Sequence, residues 1–476
     1  MQLFWQIGFL VAVAAVFFAA FSMQAKQKYL FALCLLLVAG LALRLFSGFD
    51  MYLHPWDERY HALVAKNMLH NPMVPMLYTD SIIPLDYRNW CACGVWLHKQ
   101  PVPLWMMSAG IALFGENELA VRLPSILFST VGIWLIYMLA MQFYSRRVAF
   151  LSAFLFAIHG LILDITAGRV ATDHIDLFFL IFILAAVLAS AKAVKTKHWT
   201  YPLLSGLFIG MAILSKWLPA LIVFGIWGLL AYRKISLRQA FLQFSIMAVV
   251  CIAVALPWQV YIFTRYPAEA AWEASFNMRH ITEVLDSNSG PFYYHFAKMG
   301  MLFGELIYLA LLWFVVKSVR MKNNNTRWAW LGWILVPYIF FSIPMTKMQA
   351  YTLFTAPALF ILTALFADYL LRVKSRFKAK WLVWIVVVLL FALPVRYSIE
   401  RLKIFEEQER QPPWTTDIKQ LRDQLNGGDG KTVIFNASHP IETMFYIDCI
   451  AYDFTPSAGG IEKIEKQGYR VIVLPD

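Results

Sequence analysis

The sequence predicts an all-α polytopic membrane domain of about twelve transmembrane helices, followed by a small C-terminal α/β domain. The 476 residues are 60% hydrophobic and only 15% charged, whereas a soluble domain carries about a quarter charged residues. The apolar residues form long runs, and about 20 such residues cross about 30 Å of hydrocarbon. From about residue 398 the composition becomes polar, which places the domain boundary there: 1–397 and 398–476.

Twelve apolar runs are candidates for membrane spans. The first begins MQLFW without a basic region, which favours a span over a cleaved signal peptide. The stretch 200–231 fits either two short helices or one long bent helix. The runs are 3–23, 29–47, 120–143, 148–163, 174–191, 200–214, 217–231, 239–263, 300–316, 328–343, 350–371 and 381–397.

Every second connection between these runs is short and purely basic. The positive-inside rule places such connections in the cytoplasm, so the net charge of +12 reflects topology and not nucleic-acid binding. Both termini and the connections 48–119, 164–173, 264–299 and 344–349 then lie outside. The basic residues are Lys26, Lys28, Arg146, Arg147, Lys192, Lys195, Lys197, Arg233, Lys234, Arg238, Lys317, Arg320, Lys322, Arg327, Arg372, Lys374, Arg376, Lys378 and Lys380.

The long outer loop and the tail have their own predicted elements. Apolar residues at near-helical spacing indicate an amphipathic helix over 57–70, and PVPLWMMSAGIALFG predicts a second interfacial segment. In the tail, the runs TVIF, IAYDF and RVIVLP alternate with HPIETMFYI and GIEKIEKQG. This alternation predicts a β-α-β-α-β unit, whose thin core we expect to pack on the membrane domain or the outer loops.

Charged and aromatic side chains collect in the outer connections. Each has a plain alternative: Asp57 and Glu58 could cap a helix, a lysine could snorkel, and loop carboxylates could simply be solvated. Together they suit a substrate with a phosphate at the bilayer surface, held by cations while a carboxylate activates a nucleophile. The residues are Asp57, Glu58, His98, Lys99, Asp164, Arg169, Asp173, Asp176, Lys216, His280, Lys347 and Tyr351.

The sequence resembles bacterial members of glycosyltransferase family 39, which are relatives of the protein O-mannosyltransferases and the lipid A aminoarabinose transferase with the C-type membrane glycosyltransferase fold. The matching segments follow the family order over roughly residues 50–365. They are WDERYHALVAKNML, LHKQPVPLWMMSAGIALFGENELAVRLPSILFSTVGIWLIY, ITAGRVATDHIDLFFLIF, GLFIGMAILSKWLPALIV and FFSIPMTKMQAYTLFTAPALFIL.

The resemblance implies a polyprenyl-phosphate-linked sugar donor and transfer, outside the cytoplasm, to a lipid A, glycolipid, polysaccharide or protein acceptor. Asp57 matches the proposed general base and Glu58 its neighbour. The implied donor-phosphate residues are Lys99 of the Lys-Pro-Pro motif, the Asp173 and Lys216 pair, and Lys347 and Tyr351 of a Lys-x-x-x-Tyr motif.

The sequence departs from the family pattern at three places. Gln100 replaces the first Pro of Lys-Pro-Pro, His98 replaces a Glu of the aminoarabinose transferase, and no Arg follows His280. His280 matches a metal-contacting His of that transferase, so His98 and His280 could share a divalent ion, although two His are a weak signal. The prediction requires no cofactor, and the metal ion stays an open alternative.

The sequence therefore predicts an inverting glycosyltransferase of the plasma membrane, with membrane lipids and an envelope acceptor as its partners. A transporter or flippase of lipid-linked glycans is the alternative, but this class usually shows midplane charges and internal repeats. A scaffold has no need of both Asp57 and Lys99. Cys91 and Cys93 could pair with each other, one could pair with Cys449, or both could be spectators.

Overall fold

A computed structural model describes residues 2–321, 325–376 and 378–475 of the chain, so the predicted basic residue Lys322 lies outside the described part. Most of the chain is helical. The helices before the tail are α1 (Gln2–Ala25), α2 (Tyr29–Ser47), α3 (Asp57–Asn67), α4 (Pro101–Phe114), α5 (Glu118–Phe143), α6 (Arg146–Ile158), α7 (Gly160–Thr166), α8 (Asp173–Thr196), α9 (Thr200–Lys216), α10 (Ile222–Ala231), α11 (Leu237–Arg265), α12 (Pro267–Thr282), α13 (Tyr294–Phe303), α14 (Ile307–Arg320), α15 (Asn325–Ser342), α16 (Ala356–Val373) and α17 (Lys380–Leu402).

All twelve predicted apolar runs coincide with helical segments, and the chain is a multi-span membrane protein. In the described ranges, seven helices are long and apolar enough to cross a bilayer. The number rises to nine when two bent pairs count as single spans: α6 with α7, bent by 53°, and α13 with α14, bent by 109°. The predicted count of about twelve crossings is therefore not confirmed and stays a prediction.

The stretch 200–231 forms two helical pieces and not one bent helix. Helix α9 ends at Lys216, and a short 3-10 turn, Leu218–Leu221, precedes α10. Between them Trp217 has a φ of 81°, a left-handed conformation that no α-helix continues through. This break leaves Lys216 at a helix end.

The tail forms the predicted β-α-β-α-β unit. Its sheet is parallel with the strand order β2-β1-β3, and Ile434 of the central strand aligns with Ala451 on one side and Ile472 on the other. Helix α17 ends at Leu402, beyond the predicted boundary after residue 397. The elements are α18 (Pro413–Gln424), β1 (Gly428–Phe435), α19 (Pro440–Tyr446), β2 (Asp448–Ala451), α20 (Ala458–Lys466) and β3 (Arg470–Val473).

The α/β unit and the outer loop 48–119 share one hydrophobic core. Tyr60, Leu63 and Trp96 of the loop are buried together with Phe435 and Phe445 of the unit. The helix predicted over 57–70 is present as α3, Asp57–Asn67, but protein covers both of its sides. This shared core explains how a unit with so few apolar residues of its own can be stable.

Polar contacts fix the same interface. Lys66 Nζ donates to the carbonyl oxygens of Met444 and Phe445 at 3.2 and 2.8 Å. Glu118, at the start of α5, accepts from Lys419 Nζ at 2.7 Å and from the Tyr446 hydroxyl at 2.6 Å. The loop is thus held between the ends of the membrane helices and the α/β unit.

Candidate active site

Asp57 and Lys99 form an ion pair in the outer loop. Asp57 is the first residue of α3, and its Oδ2 lies 3.3 Å from Lys99 Nζ. Both side chains retain some contact with solvent, at 14% and 16% exposure. Burial opposes the charged carboxylate, but Lys99, His61 and His98 together hold the pKa of Asp57 below its ordinary value. Asp57 is therefore ionised at neutral pH.

A second ion pair joins Lys216, at the end of α9, to Asp176 in the first turn of α8. This corrects the expected pairing of Lys216 with Asp173. Asp173 instead lies 3.0 Å from Nδ1 of the buried His61. The two carboxylates lie three residues apart on α8. Asp173 contacts α3, and Asp176 contacts α9. The ring of Tyr351 has its centroid 5.1 Å from Lys216 Nζ, so the predicted phosphate residues Lys216 and Tyr351 do meet.

Thr172 connects the two ion pairs. Its backbone N–H donates to Asp57 Oδ2 at 3.2 Å, and its hydroxyl donates to Asp176 Oδ2. The residue precedes α8 with φ 58° and ψ 22°. Lys99, Asp57, Thr172, Asp176 and Lys216 consequently form one continuous polar cluster.

Glu58 points away from this cluster into the protein and is fully buried. Arg122 donates to its two oxygens at 2.6 and 2.7 Å, and His54 and His174 lie at 2.7 and 3.2 Å. Burial opposes ionisation, but Arg122 and His54 hold the pKa of Glu58 well below its ordinary value. Glu58, predicted as a catalytic residue with Asp57, is thus held in a buried ion pair, and a direct catalytic role for it stays a prediction.

Gly168 is required by this arrangement. Its φ is +76°, and a Cβ added there would lie 2.2 Å from Glu58 Oε1. Any other residue would displace the carboxylate from Arg122, so the glycine is explained by close approach as well as by backbone conformation.

Asp50 extends the buried network towards the tail. Its carboxylate lies 3.1 Å from His54 Nε2, and 2.9 Å from guanidinium nitrogens of both Arg169 and Arg410. Despite burial, His54 and Arg169 lower the pKa of Asp50 to about 2. Arg410 belongs to the segment after α17, so this contact ties the segment that leads into the α/β unit to the outer loop.

His98 and His280, the two residues considered for a metal ion, each make other side-chain contacts in the structure. His98 stacks on Trp90, with centroids 4.7 Å apart, and its Nδ1 lies 3.4 Å from Glu273. His280 Nδ1 donates to the carbonyl of Phe276 at 3.1 Å. In the described ranges no group of three His, Cys, Asp or Glu side chains is placed to hold a metal ion. A divalent ion shared by His98 and His280 stays a prediction.

Lys347, predicted at the donor phosphate, lies apart from the cluster in the structure. It is buried, and its Nζ donates to the carbonyl of Ser342 at 2.9 Å and to that of Pro344. Its backbone N–H donates to Asn288 at 2.9 Å. These contacts hold the loop before Tyr351, and a direct role of Lys347 at a phosphate stays a prediction.

All five cysteines belong to the described residues, and all are unpaired there. The structure therefore does not contain the considered pairing of Cys91 with Cys93 or with Cys449. Burial raises the pKa of Cys93 and Cys449, each to about 12. Both are protonated packing groups at neutral pH.

An open cavity of about 470 Å³ adjoins the polar cluster. Trp56, Ala171 and Ala350 line it, and they are the chain neighbours of Asp57, Thr172 and Tyr351. Arg169 and Arg401 also face the cavity. The cavity wall is therefore built from residues next to the polar cluster in sequence.

Several residues of the cluster and its buried network were missed from the sequence, including Thr172, which links the two ion pairs. Arg122 and His174 lie inside predicted apolar spans, where any ionisable residue signals a buried partner. His61 follows Asp57 by one helical turn, and Arg410 lies in the polar tail. For Arg410 the sequence carries no signal, since only the folded tail brings it to Asp50.

The chain is similar to several known proteins. Residues 98–261 match the family model described as dolichyl-phosphate-mannose-protein mannosyltransferase. An undecaprenyl phosphate-alpha-4-amino-4-deoxy-L-arabinose arabinosyl transferase of Photorhabdus laumondii is 28% identical over 312 residues, which are 62% of this chain and 52% of that protein. The protein of the same name from Pseudomonas savastanoi is 28% identical over 336 residues, covering 66% and 57%. The matched region thus spans about half the length of these relatives.

Two solved structures share the fold. ArnT from Cupriavidus metallidurans bound to undecaprenyl phosphate has a TM-score of 0.64 at 17% identity, covering 92% of this chain and 89% of that one. The oligosaccharyltransferase AglB from Archaeoglobus fulgidus has a TM-score of 0.59 at 13% identity, covering 94% and 69%. The chain therefore has the fold of these membrane glycosyltransferases, and its residues 98–261 match the model of the dolichyl-phosphate-mannose-protein mannosyltransferase family.

Proposed function

We propose that the chain transfers a sugar from a polyprenyl-phosphate donor to a hydroxyl or amine of an envelope acceptor. The observation that carries this is the pairing of Asp57 with Lys99 at 3.3 Å, joined through Thr172 to the pair of Asp176 and Lys216. A base beside two ammonium groups suits a reaction in which a nucleophile loses a proton while charge grows on a leaving phosphate. Relatives named as undecaprenyl phosphate arabinosyl transferases support this choice of donor.

The reaction is a single displacement. The acceptor oxygen or nitrogen forms a bond to the anomeric carbon while the bond from that carbon to the phosphate oxygen breaks. The electron pair of the broken bond stays on the phosphate, and the acceptor's proton passes to Asp57. Because attack and departure occur on opposite faces of the carbon, the anomeric configuration inverts.

Lys99 links the base to the leaving group. While it pairs with Asp57, it lowers the pKa of that carboxyl and so weakens it as a base. A donor phosphate that draws Lys99 towards itself restores the basicity of Asp57. Lys216, next to the ring of Tyr351, supplies the second positive charge. Both ammonium groups stabilise the transition state more than the ground state, because the phosphate charge grows during the reaction.

The other predicted residues act through their neighbours. Glu58 fixes the first turn of α3 by binding Arg122, and Asp173 fixes the next turn by binding His61. Both are positioning residues for Asp57. Lys347 holds the loop that leads to Tyr351.

The proposed site faces the extracytoplasmic side, with both termini on that side as well. Asp57, Asp176 and Lys216 lie at one end of the helical bundle, where α8 begins and α9 ends. The purely basic connections lie at the other ends of these helices, and the positive-inside rule assigns that surface to the cytoplasm.

Mass spectrometry of envelope lipids and glycans tests the proposal. We expect that loss of the gene removes one sugar substituent, that the wild-type gene restores it, and that Asp57→Asn does not. Asp86→Asn is the matched control, because Asp86 is an exposed acidic residue of the same loop whose partner is Arg88. Full restoration by an inserted Asp57→Asn protein would refute the assigned base, and unchanged glycans after gene loss would refute the transfer itself.

A further inference from the structure

A second cavity lies at the end of the bundle far from Asp57. It has a volume of about 350 Å³ and is enclosed by residues at the ends of α5, α14, α15 and α16. Helix α5 begins at Glu118 beside the catalytic loop and runs for 26 residues, so its end lies about 39 Å away at 1.5 Å per residue. The cavity therefore belongs to the opposite membrane surface. Its polar and aromatic lining includes Tyr144, Trp313, Lys317, Arg327, Tyr369 and Arg372.

The cavity carries uncompensated positive charge. Arg372 pairs with Asp368 at 2.6 Å, but no ion pair of Lys317 or Arg327 occurs within residues 2–321, 325–376 and 378–475. Lys317 Nζ lies over the ring of Tyr369 at 5.0 Å, and the Arg327 guanidinium lies over Phe314 at 5.9 Å. Lys317 and Arg327 thus face the cavity without an acidic partner, whereas the charge of Arg372 is neutralised by Asp368.

Two buried N–H donors in the cavity wall also lack an acceptor. Arg327 Nη1 and Trp313 Nε1 are both buried atoms without a hydrogen-bond partner in the part of the chain that the structure describes. Buried donors are nearly always paired in native proteins, so an unpaired one calls for an explanation such as an absent ion or ligand. An acceptor-rich anion between them would satisfy both.

The cavity lies at the level of a lipid headgroup. Lys317 is in the last turn of α14, and its helix neighbours Val316 and Val319 are 40% and 66% exposed, as expected of side chains facing acyl chains. Phe314, Leu365 and Val373 add apolar lining next to the charges. A small soluble anion has no apolar part to contact these side chains, whereas a phospholipid presents a phosphate and a hydrocarbon chain together.

We propose that this cavity binds the phosphate headgroup of an anionic phospholipid from the leaflet on the basic side of the protein. Lys317 and Arg327 hold the phosphate, Trp313 donates its indole N–H, and the aromatic wall contacts the glycerol and upper acyl carbons. Basic pockets between membrane helices are suited to such headgroups. The inference is independent of the proposed transfer reaction, because none of these residues belongs to the Asp57 cluster.

Titration of the purified full-length protein in a neutral detergent tests the site. The probes are short-chain phosphatidylglycerol, short-chain phosphatidylcholine and inorganic phosphate, with thermal stabilisation as the readout. We expect phosphatidylglycerol to stabilise the protein at concentrations where the other two do not. Each of Lys317→Gln and Arg327→Gln should weaken this binding about fivefold, as expected for one cation near an anionic surface.

Arg320→Gln is the matched control. It removes one positive charge from the same end of α14, but Arg320 is exposed and is not part of the cavity wall. Equal weakening by Arg320→Gln would overturn the site in favour of general surface charge. Equal binding of phosphatidylcholine would overturn the requirement for an anion, and equal stabilisation by inorganic phosphate would overturn the lipid as its source.

A measurement on the wild-type protein covers the case in which the variants do not fold. Because the site is electrostatic and at the surface, raising the salt from 50 mM to 500 mM should weaken phosphatidylglycerol binding severalfold, by the shortening of the Debye length. Binding unaffected by salt would overturn the role of Lys317 and Arg327 without any substitution.

Discussion

Thr172 donates its backbone N–H to the carboxylate of Asp57 at 3.2 Å, across more than a hundred residues of sequence. Its φ of 58° is a conformation that β-branched residues rarely adopt, at a cost on the order of 1–3 kcal/mol. The same residue contacts Asp176 through its hydroxyl. A strained residue therefore sets the position of the base relative to the Lys216 pair.

Removing the Thr172 hydroxyl should separate positioning from folding. Thr172→Val keeps the shape and the backbone bond to Asp57 but loses the contact with Asp176. We expect kcat to fall about tenfold, in keeping with ~1–1.5 kcal/mol for one hydrogen bond, with little change in KM. Thr172→Ser should restore kcat. Steady-state kinetics with the donor identified from envelope analysis measure this, and a Ser variant as slow as the Val variant would contradict the role of the hydroxyl.

Lys99 should control the acid limb of the pH profile. Asp57 has a folded pKa below its ordinary value, so the wild-type enzyme keeps its base ionised even below pH 4. Lys99→Gln removes the nearest cation while burial remains, and the pKa of Asp57 then rises. The acid limb of kcat/KM should therefore move to higher pH, in addition to a loss of rate. An unchanged acid limb in Lys99→Gln would show that another group titrates there.

Arg122 should be essential for stability. Arg122→Met leaves the fully buried Glu58 without its principal partner, and breaking a buried ion pair in this way costs about 3–5 kcal/mol. We expect a strongly lowered melting temperature in detergent. Arg88→Gln is the control, because Arg88 is 58% exposed and its pair with Asp86 contributes little. Similar melting temperatures for both variants would contradict the importance of the network.

Asp50 should make the fold sensitive to acid. Its pKa is lowered to about 2 in the folded state, so the stabilisation is complete above the ordinary value near 3.9 and is lost as the pH falls through 2. The groups facing it are His54, Arg169 and Arg410. Asp50→Asn should flatten the decline in melting temperature between pH 5 and 2. A decline as steep as that of the wild type would exclude Asp50 as its cause.

The sequence placed Asp57 and Lys99 in the same outer loop as candidate site residues, but it did not predict that they form an ion pair. Both residues lie in one outer loop, and a carboxylate and a cation at the same membrane surface attract each other. It predicted the β-α-β-α-β order of elements in the tail, because β-like and helix-like runs alternate there, and the parallel pairing of the strands came from the structure. These predictions depended on local pattern and on the side of the membrane alone.

Other contacts could not be predicted, because they depend on the direction in which a side chain points once the helices are packed. Asp173 and Asp176 are equally good partners for Lys216 by position, and the packing of α8 between α3 and α9 decides between them. Asp57 and Glu58 are adjacent, yet successive residues of an α-helix point about 100° apart. Asp57 therefore pairs with Lys99 while Glu58 is buried against Arg122.

The core shared by the outer loop and the α/β unit affects how the protein matures during biosynthesis. The loop that carries Asp57 is translated early, but Arg410 and Phe445, which fix and cover it, are made more than three hundred residues later. Until the tail has been translated, the apolar side chains of the loop that pack on the α/β unit stay uncovered at the membrane surface. Assembly of a competent enzyme is consequently a late event, and ribosome stalling near the end of the message would leave inserted but inactive chains.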